Sequence, residues 1–336
     1  MQIDNNKLSG RRTGEFLLNN AVIIMMLVAA AAVSIMRPNF ISQYNIKNLI
    51  SNTSARFIIA LGVSGCLITK GTDLSAGRLG GPAACLSATF MQRLDYTSKV
   101  YPDMGEPPII WVFLGVVAVC MVFGLLNGLV VSKLNVPPFI ATLGMQTIVY
   151  GICLVYTGAQ PIGGLRKDYT NISSGSLFGF QFLPYLGIIA LLLGLIMWFV
   201  YNKTPHGKHM YAIGGNENSA EVAGINTTAT KIIIYTTAAC LYGIAGFLYG
   251  AKSGGASVNL GMGYELEAIA GCTIGGVSTN GGVGRISGML VGVLVFELLK
   301  IAMQFMGVPS DYTYIVQGLV IIMAVSLDIR KYVAKK

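Results

Sequence analysis

Apolar runs about twenty residues long follow one another from residue 16 to residue 327, each closed by glycine, proline or a basic residue. Twenty residues is the length an α-helix needs to cross the hydrocarbon core of a bilayer. Few folds are open to such a chain. Inside lipid every backbone N–H and C=O has to find its partner within the protein, so segments of this length read as helices. Composition points the same way. Charged residues make up 11% of the 336, against roughly a quarter in an average soluble domain. The sequence predicts an all-α integral membrane protein, glycine-rich, with about ten transmembrane helices and both termini in the cytoplasm.

The expected spans are 16–36, 46–69, 74–91, 109–131, 139–157, 183–201, 232–250, 264–277, 286–306 and 312–327. A polar tail precedes them (1–15), a polar loop divides them (202–231) after the sixth, and a basic tail closes the chain (328–336). On this order Lys and Arg fall about two to one on the cytoplasmic side, the bias that orients membrane proteins. The net charge of +9 therefore reads as orientation, and no nucleic-acid partner is expected. The six cysteines lie within apolar runs without a CxxC pair, so they read as small buried hydrophobes. His206 and His209 have no further ligands around them, and no zinc site is expected. Arg11-Arg12 ahead of an apolar run imitates a twin-arginine signal. That run is as long as a span and many spans follow, so it reads as a retained helix.

Several stretches carry more than packing. In the 202–231 loop, Asn216 is placed to cap a short helix, Glu217 suits its first turn, Ala220 and Glu221 continue it, and Gly224 is placed to stop it in the left-handed conformation. Such a helix is either a solvated connector or a handle for a partner. Asp73-Leu-Ser-Ala-Gly-Arg78 reads as the start of an internal half-helix. Asp73 caps, Ser75 offers a second oxygen, Gly77 permits close packing, and Arg78 brings charge to a stretch that could line a pathway. The segment 71–81 is echoed at 278–288, as in transporters built from repeated halves; chance similarity in glycine-rich sequence is the alternative. Glycine pairs such as Gly124 and Gly128 suit close helix contact. Charge within spans is costly and faces a partner or a watery path. Glu297 and Lys300 are three residues apart and placed to pair on one helix face. Arg56, Glu265 and Glu267 are candidates for a polar path, with a structural role as the alternative. The nearest approach to GxxxxGK[ST], at 246–253, has Ala251 where the pattern needs glycine and ends a membrane helix, so this chain has no ATP site of its own. No nucleophile–base or metal constellation points to a membrane enzyme.

Five segments carry a resemblance: ARFIIALGVSGCLITKGTDLSAGR (55–78), LNVPPFIATLG (134–144), GKHMYAIGGNENSAEVAGIN (207–226), YELEAIAGCTIGGVSTNGGVG (264–284) and IVQGLVIIMAVSLDIRKY (315–332). Over nearly its whole length the chain resembles the membrane subunits of ribose-type sugar ABC importers, and among them the galactose/methyl-galactoside permeases. The resemblance implies a permease dimer, here a homodimer, in the bacterial cytoplasmic membrane. It implies a separate ATP-binding subunit with two cassettes, which holds ATP and Mg, so that this chain carries no cofactor. It also implies an extracytoplasmic sugar-binding protein. The coupling role would fall on Asn216, Glu217, Ala220, Glu221 and Gly224, whose spacing partly matches the EAA loop of other importers while lacking consecutive Glu-Ala-Ala. A neutral hexose needs hydrogen-bond partners and aromatic faces, which nominates Asn127, Thr142, Gln146, Tyr264 and Glu265 for the path. Two alternatives stay open: a ribose or nucleoside permease of the same family, and an ion-coupled secondary carrier using Glu265, Glu267 or Glu297.

Overall fold

The apolar runs do become helices, and the glycines and prolines decide where each one stops. A computed structural model describes residues 21–180 and 182–333. Its helices are α1 (Ala21–Met36), α2 (Gln43–Ile68), α3 (Ala76–Phe90), α4 (Ile109–Ser132), α5 (Pro138–Thr157), α6 (Lys167–Ser174), α7 (Tyr185–Lys203), α8 (Pro205–Gly215), α9 (Glu217–Val222), α10 (Thr227–Ser253), α11 (Tyr264–Ile274), α12 (Ile286–Phe305) and α13 (Ser310–Val333). The expected tail 1–15 and most of the first run's leading edge lie outside the described residues.

Among the described residues six helices are long and apolar enough to cross a membrane, α2, α4, α5, α7, α10 and α12, and α1 and α13 carry shorter apolar stretches. The runs expected at 74–91 and 264–277 form helices of only 15 and 11 residues. At 1.5 Å per residue they reach about 22 and 16 Å, short of a bilayer core. The cause is local. Residues 69–75 are irregular before α3 starts, and α11 is bounded by left-handed Gly263 and by Gly275-Gly276. The two half-helices begin against one another. A Cβ on Gly77 would lie 2.1 Å from Glu265 Oε2 and 2.3 Å from Gly261 O, so only glycine allows this approach.

The core is organised around α10, which packs against α2, α3 and α4. The expected close contact of Gly124 and Gly128 is made there. A Cβ at Gly128 would lie 2.8 Å from Ile232 Cα. Small residues of this kind let backbones meet where lipid supplies no hydrophobic drive.

The loops sort onto two faces. On one, Ile162 pairs with Ala256, Gln92 pairs with Leu165, and Lys47 Nζ donates to Ser174 O at 2.8 Å. On the other, Gly282 N donates to Ile68 O at 2.8 Å, Lys70 Nζ to Gly215 O at 3.1 Å, and Tyr211 OH to Gly284 O at 2.9 Å. This is the alternation that successive crossings produce. The echoed segments 71–81 and 278–288 both run from loop into helix. They do so in different registers: Arg78 lies inside α3, whereas Arg285 precedes the first residue of α12.

Candidate functional site

The irregular segment before α3 is held by buried hydrogen bonds. Asp73 Oδ1 accepts from Ser75 N at 2.9 Å and from Ser75 Oγ at 2.6 Å, and Asp73 Oδ2 accepts from Tyr242 OH at 3.1 Å. Asn127 Nδ2 donates to Ser75 Oγ at 3.0 Å, and Thr142 Oγ1 accepts from Leu74 N at 3.1 Å. The expected helix cap is displaced. Ser75, not Asp73, occupies the cap position, and Asp73 closes a turn onto its own backbone two residues on. Asn127 and Thr142, nominated for a path, are fully buried and brace this segment. Gln146 lies one turn from Thr142 on α5 and is half-buried. Arg78 donates to Val258 O at 3.1 Å and stacks 4.1 Å from the Tyr150 ring centre.

A second cluster is ionic. Arg56 Nε lies 2.5 Å from Glu267 Oε2 and 3.2 Å from Glu297 Oε2, while Lys300 Nζ lies 2.7 Å from Glu267 Oε1. Lys300 is 3.9 Å from Glu297. The pair expected within α12 is therefore secondary, because α11 brings the carboxylate of Glu267 closer than Lys300's own helix neighbour. Two cations and two carboxylates balance, which is how buried charge is tolerated. Tyr264 OH bonds Tyr249 OH at 2.6 Å, and Arg56 lies 4.8 Å from the Tyr264 ring centre. Glu265 is buried at the meeting of the half-helices, and its Oε2 has no hydrogen-bond partner among the described residues. Of the path nominees, Tyr264 and Glu265 thus lie together at the start of α11, while Asn127 and Thr142 belong to the Asp73 network.

The dividing loop holds two helices where one was expected, and it is shorter than 202–231, since α7 runs to Lys203 and α10 starts at Thr227. Thr204 caps α8 by accepting from Gly207 N at 3.3 Å. Asn216 Oδ1 accepts from Ser219 N at 3.0 Å, and Gly224 stops α9 with φ +84° and donates to Glu221 O at 2.9 Å. Ala220 faces inward and is buried. Glu217 pairs with Lys231, and Glu221 Oε1 accepts from Thr227 Oγ1 at 2.6 Å, so both acids tie α9 to the start of α10. Val222 is 91% exposed on the opposite side. It was missed in the sequence, where the one apolar residue facing away from Ala220 was the available signal. Beneath α8, Gly214 lies against Ile68 and Gly282; a Cβ there would lie 1.8 Å from Ile68 O and 2.5 Å from Gly282 N. The loop therefore rests on the end of α2 and on the segment that leads into α12. Burial, and then the neighbouring His209, hold the His206 pKa below its ordinary value.

Discontinuous helices meeting within a bundle, buried balanced charge and a capped helix pair on one face define a multi-pass membrane permease. The chain belongs to the family described as branched-chain amino acid transport system / permease component, which it matches over residues 45–325. It is 41% identical to the galactose/methyl galactoside import permease protein of Haemophilus influenzae, over 98% of this chain and 99% of that one. The protein of the same description from Escherichia coli is 43% identical over 91% of this chain and 92% of its own length. The ribose import permease protein of Bacillus subtilis is 36% identical over 89% of both. No solved structure matches the chain.

Proposed function

We propose that the chain is the membrane-spanning subunit of an ATP-driven importer of galactose or methyl galactoside. The observation that carries the substrate is the 41–43% identity, over nearly the whole length, to relatives named for galactose and methyl galactoside, against 36% for the Bacillus ribose permease. A ribose permease remains the second reading, supported by that same lesser likeness. The α8–α9 face is the cytoplasmic one, in line with the basic bias of the sequence, and the bundle sits in the bacterial cytoplasmic membrane as a homodimer.

In this reading ATP and Mg belong to a partner subunit with two cassettes. That subunit grips α9 at Val222, with Asn216 and Gly224 fixing the ends of the helix and Glu217 and Glu221 fixing its attachment to α10. Movement of the loop reaches Ile68 and Gly282 through Gly214, and from there α3 and α12, whose starts lie just beyond. The half-helices at Gly77 and Glu265 then separate or close on the sugar delivered by an extracytoplasmic binding protein. The ion-coupled alternative needs a carboxylate free to take an ion. Glu267 and Glu297 instead face Arg56 and Lys300, which leaves Glu265 as its one candidate among the three carboxylates nominated for it.

The test is uptake of labelled galactose by cells without their own importer, supplied with this chain and its partner ATPase and binding protein. Uptake that requires the ATPase and fails with Glu217→Ala plus Glu221→Ala supports the reading. Uptake that persists without the ATPase and collapses with a protonophore sinks it in favour of the carrier. Uptake of ribose alone changes only the cargo.

A further inference from the structure

A cleft of about 650 Å³ opens between the start of α2 and the end of α12, on the face opposite α8 and α9. The volume is in the range of small-molecule sites. Its lining is mixed: Asn45, Asn48 and Asn52 from α2, Gln304 from α12 and Lys252 from α10 supply the polar groups, Ile301 and Phe305 from α12 the apolar floor, with Tyr44 at the rim. The cleft of about 400 Å³ beside α4 makes the contrast, since isoleucine, leucine and phenylalanine side chains line it throughout. That one suits an acyl chain. The amide cleft does not.

Helical spacing makes the amides a track. Asn45, Asn48, Asn52 and Arg56 recur at three and four residues and so share one face of α2; Gln304, Lys300 and Glu297 do the same on α12. The two faces meet at the Arg56–Glu297 contact of 3.2 Å. The track therefore descends from the outer surface to the buried ion cluster, with Asn52 at the junction: its Oδ1 accepts from Lys252 Nζ, and Arg56 Nη1 lies 3.4 Å from its carbonyl oxygen. Asn45 is committed to the fold, donating to Phe40 O at 2.7 Å. The side chains of Asn48 and Gln304 carry no such bond among the described residues.

Carboxamides are neutral and present an acceptor and two donors in one plane. A sugar hydroxyl donates and accepts at once, so facing amides complement a neutral polyol without the desolvation cost of a charge. We propose that this cleft is the outer sugar subsite of the permease, where Asn48 and Gln304 take the hydroxyls of a monosaccharide arriving from the binding protein and hand it toward Asn52 and Arg56. The proposal rests on the reading of the chain as a sugar importer subunit. It moves the entry point away from Asn127 and Thr142, which lie in the Asp73 network.

The experiment uses the complete transporter, with Asn48→Cys and Gln304→Cys made singly and Leu94→Cys as an exposed control on the same face. A membrane-impermeant methanethiosulfonate is added from outside, labelling is read by mass, and galactose uptake is followed. The wild-type cysteines are buried apart from half-buried Cys240, so the unsubstituted protein controls for them. Modification of either cleft cysteine is expected to cut uptake at least tenfold, and galactose with its binding protein is expected to slow that modification. Labelled Leu94→Cys keeps its uptake. Full labelling of both cleft positions with unchanged uptake overturns the subsite while leaving the permease reading intact. A wild-type complex that imports no sugar overturns the permease reading, and the subsite with it. Where cysteine alone stops uptake at a normal membrane level, Asn48→Gln and Gln304→Asn keep the amide and are expected to restore transport; failure to restore it overturns the subsite.

Discussion

At the scale of single residues, the decisive feature is that buried charge is balanced. Glu267 lies against both Arg56 and Lys300. Glu267→Gln leaves two cations facing Glu297 alone and is expected to lower stability by about 3 kcal/mol or more, as for other broken buried pairs. Adding Arg56→Met restores a one-to-one balance and is expected to recover most of the loss. Thermal unfolding of the purified protein in detergent checks both, and a single variant as stable as wild type would show the cluster to be solvated. The residues of this cluster were visible in the sequence as rare intramembrane charges. Only the longer Glu297–Lys300 contact within α12 was legible as a pair; the closer contacts of Glu267 with Arg56 and Lys300 were not, because they join α2, α11 and α12, which are more than 200 residues apart at their extremes. Asn127 and Thr142 show another role that local sequence does not display. Polar side chains in apolar runs looked like path residues, yet the turn at Asp73 leaves Ser75 and Leu74 needing partners, and these two supply them.

At the scale of elements, adjacent glycines at the end of α8 separate packing from propensity. A Cβ at Gly214 meets Ile68 O, whereas nothing lies within 4 Å of one at Gly215. Gly214→Ala is expected to abolish uptake or membrane accumulation, while Gly215→Ala is tolerated; uptake assays with immunoblotting distinguish them. Val222→Asp is expected to reduce sugar-dependent uptake at least tenfold with normal membrane levels, since it places charge on the one apolar contact that α9 offers. Equal uptake in this variant would remove α9 from the partner contact. The loop also responds to pH. Because folding depresses the His206 pKa, the unfolded chain binds more protons below about pH 6.5, so stability falls as pH falls through that region. His206→Gln is expected to flatten this dependence in unfolding measured between pH 7.5 and 5.5. The α9 caps were legible because Asn, Glu and Gly sit in a fixed local order. The existence of α8 was not, because its three glycines and proline resemble a linker, and its helix is held by packing on the bundle.

At the scale of the whole molecule, the two loop faces make a topological prediction. Phe178→Cys and Asn218→Cys lie on opposite faces in exposed positions. The first is expected to react with an impermeant thiol reagent added to whole cells, and the second only in inverted vesicles. Reaction of both from one side would overturn the orientation. The sequence by itself determined that the chain lies in a membrane, where most helices fall, and that the dividing loop holds a capped helix. Those outcomes depend on run length, local capping and charge bias, which are properties of neighbouring residues. The tertiary structure alone decided that α3 and α11 are half-helices meeting at Gly77 and Glu265, that four charges cancel across three helices, and that the amides of α2 and α12 face each other over one cleft. Each of these depends on which distant helices touch, and in a bilayer that choice is made by close packing and by polar groups finding partners, neither of which hydropathy records.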